Sequence, residues 1–241
     1  AEELLALNRV DDALASLEQA INVNPRHSES HAKSGQILRR LGRLDDSLAA
    51  FDRAVTINPR YGWAWNGRGL TLRELGRREE AVASYERAAR EEPRNIWYVI
   101  NQIDILLDMN RRSEALAVSE ESTRIAPTLP HIWARHGQVL RRLRRFEDAI
   151  VSYTRAVELD PGYAWAWNGK GLCLAALDRW PEALICYEQA CQHDENDVWF
   201  WHNYGESLAR TGDKERARLM FQRALGVDPD HQPTKDKLNE L

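Results

Sequence analysis

Proline recurs along this chain at a fixed interval of 34 residues. Six prolines share the spacing: Pro25, Pro59, Pro93, Pro127, Pro161 and Pro229. Glu195 stands at the one position of the series that lacks proline. A period of this length indicates stacked copies of one supersecondary unit, each too small to bury its apolar face alone. The chain is therefore predicted to fold as an array of 34-residue repeats.

Each repeat contains two helical patterns joined by a short turn. In the repeat that begins at residue 62, Trp65 and Leu72 share one stripe of a first helix, and Ala81 and Tyr85 share one stripe of a second. Gly76 lies between the two patterns, as expected for a helix C-cap and tight turn. Because proline disfavours helical backbone in the residue before it, each second helix is predicted to end ahead of the periodic proline.

The repeated residues resemble those of the tetratricopeptide repeat (TPR) family. The last full repeat carries the family pattern as Trp201, Gly205, Leu208, Ala217, Phe221, Ala224 and Pro229. The repeat before it carries Trp167, Gly171, Leu174, Ala183, Tyr187 and Ala190. The resemblance covers essentially the whole chain. It implies an all-α fold, a right-handed TPR superhelical solenoid of helix-turn-helix repeats whose first helices line a concave groove.

The period divides the chain into about seven repeats within a single array, 1–241. We place a partial repeat at 1–27 and a capping helix with one polar face at 232–241. The full repeats are 28–61, 62–95, 96–129, 130–163, 164–197 and 198–231. In the repeat 96–129, Ile103 replaces the close-packing glycine, and Ser119 and Ser122 replace the opposing aromatic residue and alanine. We expect side-chain volume to be exchanged across this helix pair, with a functional kink as the alternative.

Small and aromatic residues are expected to form the core of the array. Glycine and alanine let two helices approach closely, and large aromatic side chains fill the remaining gaps. The tryptophans assigned to this core are Trp65, Trp133, Trp167 and Trp201. Gly67, Gly69, Gly169 and Gly171 are interpreted as packing glycines inside first helices, so they do not predict a phosphate-binding loop.

Four full repeats carry tryptophan at the second residue of the first helix and asparagine about one turn later. At 100° per residue these positions turn away from the core, so core packing does not explain them. The pairs are Trp63 and Asn66, Trp97 and Asn101, Trp165 and Asn168, and Trp199 and Asn203. An indole supplies apolar contact area, and a carboxamide pairs with both N–H and C=O of a peptide backbone.

Certain TPR proteins similarly hold a peptide main chain with concave asparagines. We therefore expect the four pairs to bind an extended peptide. The alternative is that each indole covers the seam between adjacent first helices. The sequence around Trp63 and Asn66 nearly repeats around Trp165 and Asn168, which looks like duplication of a three-repeat block and predicts two similar subsites for one long ligand.

Arginines give parts of the groove a basic character. Arg39, Arg73 and Arg141 occur at equivalent positions near the ends of first helices, and we expect them to contact a peptide that is acidic in places. The carboxylate clamp of some TPR proteins is not predicted, because only Asn101 and Arg135 match its pattern. The basic run 141–145 is read as a helix C-terminus favoured by the helix dipole, not as a nucleic-acid site.

Composition and motifs exclude several other classes of function. The 33 lysines and arginines nearly balance the 37 acidic residues, and the net charge of −4 gives no general attraction to nucleic acid or anionic lipid. No stretch approaches the roughly 18 apolar residues of a membrane span. No catalytic, metal or cofactor motif is present. Cys173, Cys186 and Cys191 lack metal-site spacing and are expected to be buried, reduced thiols.

The sequence thus predicts a cytoplasmic, non-enzymatic scaffold that binds a peptide segment of a partner protein, without cofactor, nucleic acid or membrane. Two alternatives remain. The chain is the regulatory or docking arm of a larger enzyme, or it self-associates by stacking of array ends. Because the sequence begins without methionine and inside a helical pattern, we expect it to be a fragment.

Overall fold

The structure, a computed structural model, describes residues 10–241. In this range the chain forms fourteen α-helices and no strand. The helices of the first half are α1 (Val10–Val23), α2 (Ser28–Arg40), α3 (Leu44–Ile57), α4 (Gly62–Glu74), α5 (Arg78–Glu91), α6 (Ile96–Asp108) and α7 (Arg112–Ile125). Those that follow are α8 (Pro130–Arg142), α9 (Phe146–Leu159), α10 (Ala164–Ala176), α11 (Trp180–His193), α12 (Val198–Arg210), α13 (Lys214–Val227) and α14 (Gln232–Asn239).

The helices pair as the sequence predicts. The even-numbered helices from α2 to α12 are first helices, and each begins at the first residue of a 34-residue repeat. The odd-numbered helices from α3 to α13 are the second helices, and α14 lies in the segment assigned to the cap. Of the partial repeat, residues 1–9 lie outside the described residues. The predicted all-α, helix-pair architecture is confirmed. In the described range, no helix is both long enough and apolar enough to cross a bilayer.

Backbone contacts group the chain into two compact units, one ending at Arg111 and the other beginning at Arg112. In each unit, helices adjacent in sequence pack against one another. Neighbouring first helices also touch, as α2 does with α4, and α10 does with both α8 and α12. The boundary between the units falls inside the repeat whose sequence departs from the pattern. The volume exchange expected between Ile103 and the two serines of α7 stays a prediction.

A buried aromatic ring in the second helix lies between glycines of two consecutive first helices. In the first unit a Cβ added to Gly35 would be 2.9 Å from the Phe51 ring, and one added to Gly67 would overlap the same ring. In the second unit Tyr153 lies in the same way between Gly137 and Gly169. One side chain therefore joins two repeats, since the missing Cβ atoms admit the ring against the helix backbones. The interpretation of these residues as packing glycines is confirmed.

The turn within each repeat uses left-handed backbone at one residue. Glycine fills that position in three repeats, with φ of 76° at Gly76 for example. Asn110, Arg144 and Asp178 adopt it without glycine's freedom, at φ of 59°, 61° and 57°. The left-handed residue allows the next backbone N–H to bond the helix end, as Arg77 N–H does with Leu72 O at 2.9 Å.

Candidate functional site

In four of the six first helices, a tryptophan at the fourth residue holds the loop that precedes the helix. Its indole Nε1–H donates to the backbone carbonyl six residues earlier. The bonds are Trp65 to Pro59 (2.9 Å), Trp133 to Pro127 (2.8 Å), Trp167 to Pro161 (2.8 Å) and Trp201 to Glu195 (2.9 Å). In all four bonds the acceptor is the carbonyl at the periodic proline position. The backbone carbonyl of Glu195 accepts the equivalent bond, so the loop contact does not require proline.

The sequence predicts that all four of these indoles are core residues, and this is correct only in part. Trp201 is buried, whereas Trp65, Trp133 and Trp167 are only half-buried. The bond to a loop carbonyl keeps each indole near the surface, and Trp201 is nevertheless buried, with the Arg223 guanidinium 4.9 Å from its ring centre. In the repeat that begins at residue 28, His31 Nε2 contacts Pro25 O at 3.0 Å and replaces the indole.

The tryptophans at the second residue of the first helix are accessible to different degrees. Trp97 and Trp199 are 57% and 49% exposed. Trp63 and Trp165 are half-buried. The four indoles are therefore not sealed between helices, and Trp97 and Trp199 present most of the solvent-exposed indole surface among them.

In each unit, the half-buried tryptophan at the second residue packs on the aromatic ring that joins two repeats. The Trp63 ring lies 6.3 Å from that of Phe51 and 5.8 Å from that of Tyr61, centroid to centroid. In the second unit, the Trp165 ring lies 6.1 Å from both Tyr153 and Tyr163. Trp63 and Trp165 thus cover the core of the preceding repeat, which a helical wheel of one helix does not reveal.

The asparagines form one hydrogen-bonded pair in each unit. Asn101 Nδ2 donates to Asn66 Oδ1 at 2.8 Å, and Asn203 Nδ2 donates to Asn168 Oδ1 at 2.9 Å. Each bond joins the first helices of consecutive repeats. Among the described residues, Nδ2 of Asn66 and Asn168 and Oδ1 of Asn101 and Asn203 have no further hydrogen-bond partner. Each pair therefore keeps a spare donor and a spare acceptor, the complement of a peptide C=O and N–H.

We call the surface that carries a unit's second-residue tryptophans and its asparagine pair the groove face of that unit. Sequence reasoning placed the eight residues on such a face but missed the asparagine pairing. A signal for it was present, because Asn66 and Asn101 are 35 residues apart, as are Asn168 and Asn203. One residue more than the repeat length indicates positions that face each other across neighbouring first helices.

The three predicted arginines differ in their partners. Arg39 Nη1 contacts Glu74 Oε1 at 2.5 Å, and Arg73 Nη2 contacts Asp108 Oδ2 at 3.0 Å. Both ion pairs link the ends of consecutive first helices in the first unit. Arg141 has the equivalent position in α8 but forms no ion pair within residues 10–241, and its Nε is buried without a hydrogen-bond partner.

The C-terminal helix approaches the groove face of the second unit. The His231 ring lies 4.5 Å from the Trp199 ring, edge on. Thr234 Oγ1 is 2.9 Å from His202 Nδ1 and 2.7 Å from His231 Nδ1. Because one hydroxyl donates to only one imidazole, at least one of the two Nδ1 atoms carries a proton and donates to Thr234 Oγ1. Burial lowers the pKa of His202 and favours its neutral ring.

The described part of the chain has no cluster of metal-ligating side chains and no activated thiol. No group of three or more His, Cys, Asp or Glu side chains there could hold a metal ion. The three cysteines are buried, as expected. Burial raises the pKa of Cys173 to about 12, of Cys186 to about 11 and of Cys191 to about 12. The thiols are protonated at neutral pH and are therefore poor nucleophiles.

Comparison with known proteins agrees with this architecture. Family models of the tetratricopeptide repeat match residues 1–62 and 135–198, more than half of the chain, and further models match 62–95 and 186–219. No curated protein sequence matches the chain.

Solved structures share the fold at low sequence identity. A chain of the APC/C hetero-tetramer Cut9–Hcn1 superposes with a TM-score of 0.72 at 16% identity, covering 98% of this chain and 47% of that one. This chain thus spans about half the length of that structure. A tetratricopeptide repeat protein from Parabacteroides merdae gives 0.72 at 16% identity, covering 99% and 94%. YrrB, described as a TPR protein with an unusual peptide-binding site, gives 0.52 at 21% identity, covering 93% and 98%.

At these identities the solved structures speak for the fold, and the family models identify the repeats themselves. Tetratricopeptide repeats are in general non-catalytic, protein-interaction scaffolds. The chain belongs to the tetratricopeptide repeat family and has its all-α, helix-pair solenoid fold.

Proposed function

We propose that the groove face of each unit binds an extended peptide segment of a partner protein. The observation that carries the proposal is the same in both units: an exposed indole lies on the face that also carries an asparagine pair with a spare donor and a spare acceptor. Core packing explains neither the exposure of the indole nor the choice of two amides.

The asparagine pair supplies the contacts to the peptide main chain. In the first unit, Asn66 Nδ2 donates to a ligand carbonyl and Asn101 Oδ1 accepts from a ligand N–H. Each such hydrogen bond contributes a net of about 0.5–1.5 kcal/mol. The Asn66–Asn101 bond fixes both carboxamides before the ligand arrives, so less side-chain entropy is lost on binding. Asn168 and Asn203 have the same roles in the second unit.

The two second-residue tryptophans of a unit have different roles in binding. Trp97 and Trp199 contact apolar side chains of the ligand, because their rings are more exposed than those of Trp63 and Trp165. Trp63 and Trp165 form the floor of the face, since their rings already rest on Phe51 and Tyr153. The proposal therefore places the largest single contributions to affinity at Trp97 and Trp199, as is usual for tryptophans at binding hot spots.

The cellular setting belongs to the proposal as well. The protein acts in the cytoplasm, where buried thiols stay reduced, and it binds neither nucleic acid nor membrane and needs no cofactor. A docking arm of a larger enzyme would use the same groove faces, so the same experiment addresses that role.

Selection from a displayed library of random twelve-residue peptides tests the proposal. Peptides selected on the wild-type chain are synthesised, and their affinities are measured by fluorescence anisotropy. We expect Trp97→Ala together with Trp199→Ala to weaken binding by about 30-fold, the effect of losing a hot-spot residue worth about 2 kcal/mol. Asn101→Ala together with Asn203→Ala should weaken it by about fivefold, the effect of losing one hydrogen bond of about 1 kcal/mol in each unit.

Ile185→Ala is the matched control, because it removes an exposed apolar side chain from the second helix α11, away from the groove face. Its affinity should equal that of the wild type. Unchanged binding in both groove-face variants, or a library that yields no binding peptide, would contradict the proposed function.

A further inference from the structure

We infer that the groove face of the second unit takes an acidic side chain of the peptide ligand at Arg141. The inference rests on the proposed function and names the chemistry of its ligand. It follows from one difference between two structurally equivalent positions of the same chain.

In the first unit, the arginine at the twelfth residue of a first helix meets a carboxylate from the next repeat. Arg39 pairs with Glu74 and Arg73 with Asp108, and each carboxylate lies 35 residues after its arginine. The ion pairs neutralise the arginines within the fold. A ligand that reaches this part of the first unit meets charges that already have partners.

In the second unit, the same position has an arginine and no carboxylate. Counting 35 residues from Arg141 leads to Ala176, the last residue of α10. Glu74 and Asp108 are each the thirteenth residue of a repeat, and in α8 this residue is Arg142. Neither Arg141 nor Arg142 forms an ion pair with any residue of the described chain. The second unit thus keeps the arginine of this position but lacks the carboxylate that neutralises it in the first unit.

The charge of the neighbouring helices strengthens the asymmetry. The first helices α8, α10 and α12 together carry five lysines and arginines and a single acidic residue, Glu206. The whole chain has a net charge of −4, so cations are concentrated on these helices against the overall balance. An anionic segment is attracted to this side of the second unit and not to the protein at large.

The surroundings of Arg141 favour a carboxylate over water. The side chain is half-buried, and its Nε is covered without a hydrogen-bond partner. The guanidinium acts on the hydroxyl of Tyr153 through its charge and a side-chain hydrogen bond, and on the thiol of Cys173 through its charge; both groups are buried and uncharged at neutral pH, so neither neutralises it. A partly desolvated guanidinium binds a carboxylate more strongly than an exposed one does, and its planar fork matches both oxygens. A ligand Asp or Glu supplies the group that Glu74 and Asp108 supply in the first unit.

The selection used for the proposed function also tests this inference. The random segment is flanked on both sides, so no free C-terminal carboxylate is offered. Peptides are selected on the full chain as wild type, as Arg141→Gln with Arg142→Gln, and as Ala176→Glu. The last variant restores the internal carboxylate of the first unit at an exposed helix position and keeps both arginines. A charge-matched control, Arg155→Gln with Arg218→Gln, removes arginines of the second helices α9 and α13.

Pools from the wild type and from the control should be enriched in Asp and Glu at one position of the motif. The pools from the other two variants should lose that enrichment. For a selected peptide, exchanging that Glu for Gln should weaken binding to the wild type by about tenfold and leave binding to both Arg141-directed variants unchanged, which isolates the pair.

Wild-type pools that depend on the groove-face tryptophans but contain no acidic preference would overturn this inference and leave the proposed function standing. An acidic preference that persists in both Arg141-directed variants would overturn it too. Failure to select any peptide would remove the proposed function, and this inference with it.

Discussion

Tyr153→Ala is expected to lower the free energy of unfolding by on the order of 3–5 kcal/mol, the range for removing a large buried aromatic side chain. The ring is 1% exposed and fills the space between Gly137 and Gly169, so it joins helices α8, α9 and α10. The glycine backbones on either side have no side chains with which to fill the cavity. Because stability in repeat arrays is carried by neighbouring interfaces, the loss affects two repeats at once.

Urea denaturation followed by circular dichroism measures this loss. Tyr153→Phe is the control, since it keeps the ring and removes only the hydroxyl. It should change stability by no more than about 1 kcal/mol, the net worth of one hydrogen bond. A Tyr153→Ala variant that loses less than about 1 kcal/mol would show that the helices close around the gap, contrary to the packing described.

Gly169→Ala is expected to destabilise the chain by about 1–3 kcal/mol, the usual cost of overpacking a filled core. Intrinsic helix propensity predicts the opposite sign, because alanine is favoured over glycine by about 1 kcal/mol in a helix. The added Cβ would overlap Cζ and Cε1 of Tyr153. Overlap with a ring that is itself held in place outweighs propensity here.

Gly226→Ala in α13 provides the control, because no atom lies within 4 Å of an added Cβ at that glycine. This substitution should stabilise the chain by up to about 1 kcal/mol. The double variant Gly169→Ala with Tyr153→Ala should be less unstable than the two single effects combined, since the new methyl group enters the space left by the ring. Equal and stabilising effects at both glycines would refute the close approach at residue 169.

The helix positions were predictable from sequence because the repeat imposes them seven times over. A single proline or glycine is a weak signal, but the same residue at the same offset in successive repeats fixes where helices begin and turn. The turn residues Arg144 and Asp178 show the limit of this reasoning. They adopt left-handed backbone where glycine would be expected, because the surrounding repeat imposes the turn.

The site was predictable only as a face. Helical periodicity placed Trp63 and Trp97 on the same side of their helices, but it could not distinguish a half-buried indole from an exposed one. The difference arises from Phe51 of the preceding repeat, a contact that no single helix contains. Likewise, Arg73 and Arg141 look alike in sequence, and only the register between neighbouring first helices shows that Asp108 neutralises the former alone.

Eight of the nine tryptophans divide into two sets: those at the fourth position of a first helix hold loops, and those at the second position line a binding face. The indole N–H resonances of the ¹⁵N-labelled chain, titrated with a selected peptide, test this division most directly. We predict that the signals of Trp97 and Trp199 shift on binding. The signals of Trp65, Trp133, Trp167 and Trp201 should stay in place, since their N–H groups are donated to loop carbonyls. Shifts confined to these four, with Trp97 and Trp199 unmoved in the bound state, would contradict the account.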